Sequence, residues 1–219
     1  QAALHRVFHA GLGGGVEFDD LGDGHGISLL MAAVAGDGQT RRALVKIVTM
    51  NPAPNLALVG PMGAGKSAVG RLLAERLGLR FADLDHEIEE HSGAGIATIF
   101  ECAGEAGFRA RECAALRGRV DGDGLVLSTG GGAVLDAENR RLLRERCFVV
   151  HLHLDVPAQL QRLARDRSRP LLQRPDRERA LHELAAVRGP LYDEIADLRL
   201  DTGHDNATHA AMALAESLA

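Results

Sequence analysis

The sequence predicts an α/β fold in which helices cover both faces of a mostly parallel sheet. From residue 55 onward, short apolar segments alternate with segments whose apolar residues recur at the spacing of one helix face. Glycine-rich turns follow the first and the third of the apolar segments. Hydrophobic residues make up 46% of the 219 residues, which is enough to build a buried core.

Five apolar segments are predicted as strands. Each is short and mostly apolar, which is typical of strands that are buried on both faces of a parallel sheet. They span Asn55–Val59, Phe81–Leu84, Leu125–Ser128, Cys147–Leu154 and Leu198–Leu200.

The segments between the strands are predicted as helices from their apolar spacing and their terminal residues. Gly78 is a stop after the first helix, Asp136 is an N-cap, and Pro157 lies in the first turn of a later helix. Helices are predicted at Lys66–Leu77, over 86–118 with breaks near Gly93 and Gly104, and at Asp136–Arg146, Val156–Arg165, Asp176–Val187, Pro190–Ala196 and Ala207–Leu218.

Residues 1–49 differ from the rest of the chain because glycines cluster at 11–15 and 22–26, with little helical periodicity. We expect a functional domain over 50–219 that begins near Met50, and an N-terminal extension over 1–49 that is poorly ordered or non-essential. The alternative is a small β-rich appendage, with strands at 29–34 and 43–48.

Composition excludes several function classes. The net charge is −5, aromatic residues make up 3%, and Trp is absent, which argues against a nucleic-acid binder. The sequence contains no run of 18 apolar residues, so no membrane-spanning segment is predicted. The cysteines Cys102, Cys113 and Cys147 lack CxxC spacing, so we interpret them as small buried residues and reduced thiols of a cytoplasmic protein. Only two lysines occur, Lys46 and Lys66.

The strongest motif is the glycine-rich segment Gly60–Ser67, GPMGAGKS, which satisfies G-x-x-x-x-G-K-[ST] between a predicted strand and a predicted helix. Backbone N–H groups of such a P-loop surround a β-phosphate at a helix N-terminus. Lys66 can reach the β- and γ-phosphates, and the Ser67 hydroxyl can coordinate Mg²⁺. The motif therefore predicts binding of a nucleoside triphosphate.

Two further motifs follow predicted strands. Alternation places Asp83 and Asp85 on one face of a strand end, where one could hold the hydration shell of Mg²⁺ and the other accept a proton. Two solvated loop aspartates are the alternative. The run Gly130–Gly132 leaves the backbone bare for a small polar ligand, or makes a tight turn.

Arginines are the third signal, because a guanidinium grips a carboxylate or phosphate with two N–H groups. Arg109 lies in a predicted helical region, and Arg188 lies at the end of another, before Gly189 and Pro190. Residues 162–179 hold seven Arg against three acidic residues, which suits a lid that closes on phosphates. A nucleic-acid surface and ordinary solvated charges are the alternatives for this segment.

In this order, the motifs resemble those of the shikimate kinase family, from about Leu56 to Leu218. They are GPMGAGKS (60–67), DLD (83–85), IFECAGEAGFRARE (99–112), STGGGAV (128–134), RPLL (169–172) and RGPLYDEIAD (188–197). The resemblance implies a three-layer α/β/α P-loop kinase fold with parallel strand order 2-3-1-4-5. It also implies ATP-dependent phosphorylation of the shikimate 3-hydroxyl to shikimate 3-phosphate, with Mg²⁺, in a cytoplasmic monomer with no nucleic-acid or membrane partner.

The resemblance also assigns roles on the shikimate side, within a substrate-binding region at about 85–113. Asp85 is implied to contact the shikimate hydroxyls and to be the catalytic base. Arg109 and Arg188 are implied to clamp the carboxylate, with Glu112 orienting Arg109. The other side of the ring is implied to be lined by Gly130, Gly131 and Gly132. The side chains of Phe100 and Phe108 resemble walls of this pocket, with core packing as an equal alternative.

On the ATP side, Lys66 and Arg169 are implied as catalytic residues, Arg169 from a lid over about 164–176. Ser67 and, through water, Asp83 are implied to hold Mg²⁺. ATP is implied to contact Gly63, Ala64, Gly65, Lys66, Ser67, Ala68, Arg165 and Arg169. Relatives often carry an Arg after the fifth strand that packs on adenine, but residues 200–205 contain none, so either His204 replaces it or the contact rests on backbone and Arg165.

Three alternatives stay open. A related P-loop kinase acting on gluconate or a nucleotide would keep the P-loop but not the glycine run with Arg109 and Arg188. A non-catalytic regulator would bind ATP or shikimate without turnover. His151 and His153 share one face of a strand and could bind a metal, although ordinary strand side chains are the expected interpretation.

Overall fold

A computed structural model describes residues 18–23, 27–36 and 39–47 as backbone strands, and 55–164, 175–203 and 206–218 with their side chains. The chain divides into two units, Gln1–Asn51 and Pro52–Ala219. The boundary lies within two residues of the start expected near Met50.

The first unit contains an antiparallel sheet of three strands, β1 (Phe18–Asp23), β2 (Ile27–Gly36) and β3 (Gln39–Ile47), in the order β1-β2-β3. The segment 29–34 lies within β2 and residues 43–47 lie within β3, so both segments that the appendage alternative assigns to strands are extended where they are described; residue 48 lies outside the described residues. That residues 1–49 are non-essential stays a prediction.

The second unit is built on five parallel strands. These are β4 (Asn55–Val59), β5 (Arg80–Asp83), β6 (Leu125–Ser128), β7 (Cys147–His153) and β8 (Leu198–Asp201). Their order in the sheet is β5-β6-β4-β7-β8, which in chain order is 2-3-1-4-5 and confirms the prediction. Because the first strand is central, the loops after β4 and β6 meet at one edge of the sheet.

Seven helices and one 3₁₀ turn, Ala133–Leu135, are described in the second unit. The helix α3 (Ile96–Val120) is broken at Gly104, whose φ of 66° is left-handed, as predicted. Asp136 caps α4 (Ala137–Arg146) by accepting from the backbone N–H groups of Glu138 and Asn139, also as predicted. The helices are α1 (Lys66–Leu77), α2 (Leu84–Ser92), α3 (Ile96–Val120), α4 (Ala137–Arg146), α5 (Val156–Arg162), α6 (Arg177–Ile195) and α7 (Ala207–Leu218).

The core lies on both faces of the sheet because β4 is buried throughout. Leu56 and Leu58 pack with α1 and α7 on one face, while Ala57 and Val59 pack with α3, α4 and α6 on the other. This arrangement leaves the carboxyl ends of the strands as the place where loops can gather polar side chains.

Three sequence predictions were wrong in detail. The strand β5 ends at Asp83 and α2 begins at Leu84, so Asp83 and Asp85 do not share a strand face. One continuous helix, α6, replaces the two helices predicted on either side of residues 188–189. Pro190 removes one helical N–H donor, but burial of Leu181 before it and Tyr192 after it stabilises the continuous helix. All three cysteines are free, yet only Cys147 is buried, and Cys102 is exposed.

None of the described helices is long and apolar enough to cross a membrane.

Candidate active site

The P-loop joins β4 to α1 as the motif predicts. Gly63 and Gly65 have φ values of 80° and 90°, which only glycine adopts without strain. Gly65 caps α1 without a side chain, so no side chain occupies the first N–H groups of the helix. The Lys66 ammonium donates to the carbonyl oxygens of Gly60 at 2.8 Å and Pro61 at 2.9 Å. Lys66 thus holds the loop in the shape of a phosphate cradle.

The Ser67 hydroxyl lies beside the end of β5. Its Oγ donates to Asp83 Oδ2 at 2.5 Å and is 3.3 Å from the Ser128 hydroxyl. The other Asp83 oxygen accepts from the backbone N–H of His86, which fixes the carboxylate at the start of α2. Ser67 and Asp83, predicted as Mg²⁺ partners, are therefore in contact.

The run Gly130–Gly132, which we call the glycine loop, meets the predicted acidic and basic side chains. A Cβ at Gly130 would lie 2.7 Å from Asp85 Oδ1 and 2.8 Å from Glu112 Oε1. A Cβ at Gly132 would lie 2.3 Å from the nearest guanidinium nitrogen of Arg109. A side chain at Gly130 or Gly132 would displace these groups, a reason for glycine that the sequence did not reveal.

Arg109 is held by a buried ion pair within α3. Its Nη1 donates to Glu112 Oε2 at 2.6 Å, and the Glu112 side chain has 0% exposure. Burial raises the pKa of the Glu112 carboxyl above its usual value, while the Arg109 guanidinium opposes the shift. Among the described residues, Arg109 Nε and Glu112 Oε1 are buried without a hydrogen-bond partner. Such atoms are costly to leave unpaired, so the pair is suited to a polar ligand.

Arg188 reaches the same loop from α6, where its Nη1 donates to the Gly131 carbonyl at 3.2 Å. The Tyr192 hydroxyl donates to the same oxygen at 2.5 Å. In the sequence, Tyr192 appears only as part of the motif at 188–197, and its contact with Gly131 was not predicted. The available signal is its spacing, since residues four apart share one face of a helix.

On the nucleotide side, a cleft of about 520 Å³ runs beside the P-loop, with Gly63, Gly65, Arg162, Thr202 and Asn206 among its lining residues. Arg162 donates to the carbonyl oxygens of Gly63 and Thr202. Sequence reasoning missed Arg162, and helical spacing alone could not have distinguished it from Arg165. Ala68 lies in the first turn of α1. Arg165, Arg169 and His204 lie outside the described residues.

The remaining candidates have different surroundings. Phe108 is buried in the core and stacks on the half-exposed Phe100, with ring centroids 4.6 Å apart. His151 is buried, and its Nδ1 lies 2.8 Å from Asp193 Oδ1. No group of three His, Cys, Asp or Glu side chains that could bind a metal occurs within the part of the chain that the structure describes.

Comparisons with known proteins find similarity over most of the second unit. A family model described as Shikimate kinase matches residues 62–219. A shikimate kinase from Xanthomonas campestris pv. campestris is 59% identical over 170 residues, which are 78% of this chain and 94% of that protein.

Solved structures show the same similarity. Shikimate kinase from Acinetobacter baumannii in complex with shikimate has a TM-score of 0.71 and 50% identity, covering 74% of this chain and 90% of that chain. Shikimate kinase from Bacteroides thetaiotaomicron has a TM-score of 0.70 and 28% identity, covering 75% and 98%.

Proposed function

The chain belongs to the shikimate kinase family, and we propose that the residues around its P-loop and glycine loop perform the ATP-dependent phosphorylation of shikimate. The residue assignment rests on one observation, which is that side chains from three helices meet at the glycine loop. Asp85, Arg109 and Arg188 meet the glycine loop, and a Cβ at Gly131 would lie 3.5 Å from the Gly60 carbonyl of the P-loop. An acceptor site and a phosphate site are thus adjacent.

On the acceptor side, Arg109 and Arg188 bind the carboxylate of shikimate through paired N–H groups. Glu112 orients Arg109 through the 2.6 Å contact. Asp85, beside Gly130, contacts the ring hydroxyls and accepts the proton of the 3-hydroxyl as its oxygen attacks phosphorus. The absence of a Cβ along the glycine loop leaves room for the ring and for these side chains.

On the donor side, the N–H groups from Gly63 to Ala68 and the Lys66 ammonium bind the phosphates of ATP. The γ-phosphoryl group passes in line to the shikimate oxygen through a loose, charge-spread transition state. Lys66 stabilises that charge at a fixed position, since its ammonium is already held on the loop by Gly60 and Pro61.

The contact between Ser67 and Asp83 suits Mg²⁺. A hydroxyl and a carboxylate are the hard oxygen donors that this ion prefers, and one or two protein ligands suffice when phosphates and waters supply the rest. Ser67 would hold the ion directly and Asp83 through water. When bound, Mg²⁺ neutralises charge on the β- and γ-phosphate oxygens.

Arg169 and the segment 164–176 are assigned as the lid by family resemblance. A lid arginine meets the transferring phosphate only when the site is closed, so Arg169→Ala lowers kcat far more than it weakens shikimate binding. Steady-state kinetics and equilibrium shikimate binding measure the two effects. A loss confined to shikimate binding would remove Arg169 from the lid.

The kinase domain is assigned to residues 50–219, acting as a monomer in the cytoplasm with residues 1–49 non-essential. The separation of the chain at Asn51 and Pro52 supports this division. Sedimentation of the full chain tests the monomer, and removal of residues 1–49 tests their role. Loss of activity in the shortened chain, with the full chain active, would contradict the division but not the activity.

Shikimate-dependent ADP release by the full chain tests the function. We expect release with shikimate, and none above background with gluconate or a nucleoside monophosphate. Asp85→Asn, which keeps the size of the side chain but is a poor base, abolishes most of it. Release with another acceptor would favour the other P-loop kinases, and shikimate binding without ADP release would favour a non-catalytic regulator.

A further inference from the structure

Tyr192 is the buried side chain that ties α6 to the glycine loop. It is 3% exposed, and its hydroxyl donates to the Gly131 carbonyl. Burial raises the pKa of Tyr192 to about 12, so the hydroxyl keeps its proton near neutral pH and acts as the donor in this bond. Arg188 donates to the same oxygen at the longer distance of 3.2 Å.

Gly131 is the point at which the glycine loop approaches the P-loop. A Cβ there would lie 3.5 Å from the Gly60 carbonyl oxygen, 3.6 Å from the Met62 nitrogen and 3.7 Å from the Tyr192 hydroxyl. A displacement of Gly131 therefore changes the separation between the loop assigned to shikimate and the loop assigned to phosphate.

The Tyr192 ring packs in the hydrophobic core beside a small cavity. One side contacts His151 of β7, with ring centroids 5.1 Å apart, and His151 is itself held by Asp193. A cavity of about 110 Å³ borders the ring and is also lined by Met62, Gln159 and Leu184. The hydroxyl bond to Gly131 is the contact that joins this ring to the glycine loop.

We propose that Tyr192 is a positioning residue for phosphoryl transfer, because its hydroxyl holds Gly131 at the separation from the P-loop that in-line attack requires. The inference rests on the proposed placement of shikimate beside the glycine loop. The Tyr192 hydroxyl and the Arg188 guanidinium also hydrogen-bond each other and share the Gly131 carbonyl oxygen, so Tyr192 holds Gly131 both directly and through Arg188.

Tyr192→Phe keeps the ring and removes the hydroxyl, so the protein still folds. We expect kcat with shikimate to fall about tenfold, since small misplacement of reacting groups is costly to rate. The KM for ATP stays within about twofold, because the P-loop keeps its own contacts. The wild-type full chain must first show shikimate-dependent ADP release. Its absence would contradict the proposed function and not this inference.

Asn55→Ser is the matched control, because it also removes buried bonds between a side chain and the backbone, to Gly122 and from Leu125, at the opposite end of β4. We expect it to lower the unfolding temperature without changing kcat at a temperature where it is folded. An unchanged kcat in Tyr192→Phe, or an equal fall in both variants, would overturn the inference.

Discussion

The P-loop and the proposed acceptor site differ in how their parts are brought together. In the P-loop, Lys66 contacts the carbonyl oxygens of Gly60 and Pro61, all within one motif of eight residues. In the acceptor site, Arg109 comes from α3, the glycine loop follows β6, and Arg188 comes from α6. The first site is local in sequence and the second exists only in the folded protein.

This difference determines how each site responds to substitution. A change within the P-loop alters contacts that the loop makes with itself and with phosphate. A change in the acceptor site moves side chains that are buried against one another, such as Arg109 and Glu112, so its effect spreads to neighbours. We therefore expect P-loop variants to lower kcat without changing the affinity for shikimate. Variants of the acceptor site should lower both kcat and the affinity for shikimate.

The largest expected effect is that of Lys66→Met. It removes the ammonium that we propose stabilises the transferring phosphoryl group, and we expect kcat to fall about a thousandfold. The dissociation constant of shikimate, measured by calorimetry without ATP, should stay within about threefold of the wild-type value. Lys66→Arg keeps the charge but adds bulk, and it should recover only part of the rate. A parallel loss of shikimate affinity in Lys66→Met would break the distinction between the two sites.

A smaller loss is expected for Gly132→Ala. The new methyl group would overlap the Arg109 guanidinium, 2.3 Å away, and displace it from its bond with Glu112. We expect kcat/KM for shikimate to fall roughly tenfold to a hundredfold, with the KM for ATP unchanged. Gly118→Ala is the control, because a Cβ at that position of α3 has no neighbour within 4 Å. Equal kinetics for the two variants would show that Arg109 is not held against the glycine loop.

The smallest effect concerns His151, which lies where β7 meets Tyr192. Burial lowers its pKa below the usual 6.5, and the nearby His153 and Arg199 act in the same direction, while Asp193 opposes them. The folded protein therefore binds fewer protons than the unfolded chain below pH 6.5. The free energy of unfolding should rise with pH up to about 6.5, by at most about 1.4 kcal/mol per pH unit from this group, and then level off.

His151→Asn tests this dependence, because the amide can keep a hydrogen bond to Asp193 but does not titrate. Urea unfolding at pH 5 and pH 7 should show a smaller difference for the variant than for the wild type. An unchanged difference would mean that burial does not lower the pKa of His151.

The features that the sequence could predict are local, and the features that it could not predict depend on long-range contacts. The P-loop, the N-cap Asp136 and the break at Gly104 depend on local backbone conformation, so nearby residues indicate them. The strand order came from the family resemblance, since apolar segments do not specify their neighbours in a sheet.

The contacts that were not predicted from the sequence join residues that are far apart in the chain. The bond from Tyr192 to Gly131 and the bond from Arg162 to Gly63 join residues that only the fold brings together. The continuous α6 was missed because Pro190 normally ends a helix, and only tertiary burial on both sides of it offsets that preference. The close approach of Arg109 to Gly132 was missed for the same reason, because a glycine run alone does not show what fills the space beside it.

A double-mutant cycle on Arg109 and Gly132 tests most directly whether the acceptor site acts as one unit. The four proteins are the wild type, Arg109→Ala, Gly132→Ala and the double variant, and the quantity is kcat/KM for shikimate. Because the three atoms nearest to a Cβ at Gly132 all belong to the Arg109 guanidinium, Gly132→Ala should change kcat/KM by less than about twofold once Arg109 is alanine. If the two losses instead multiply, the two residues act independently and the account of the acceptor site is wrong.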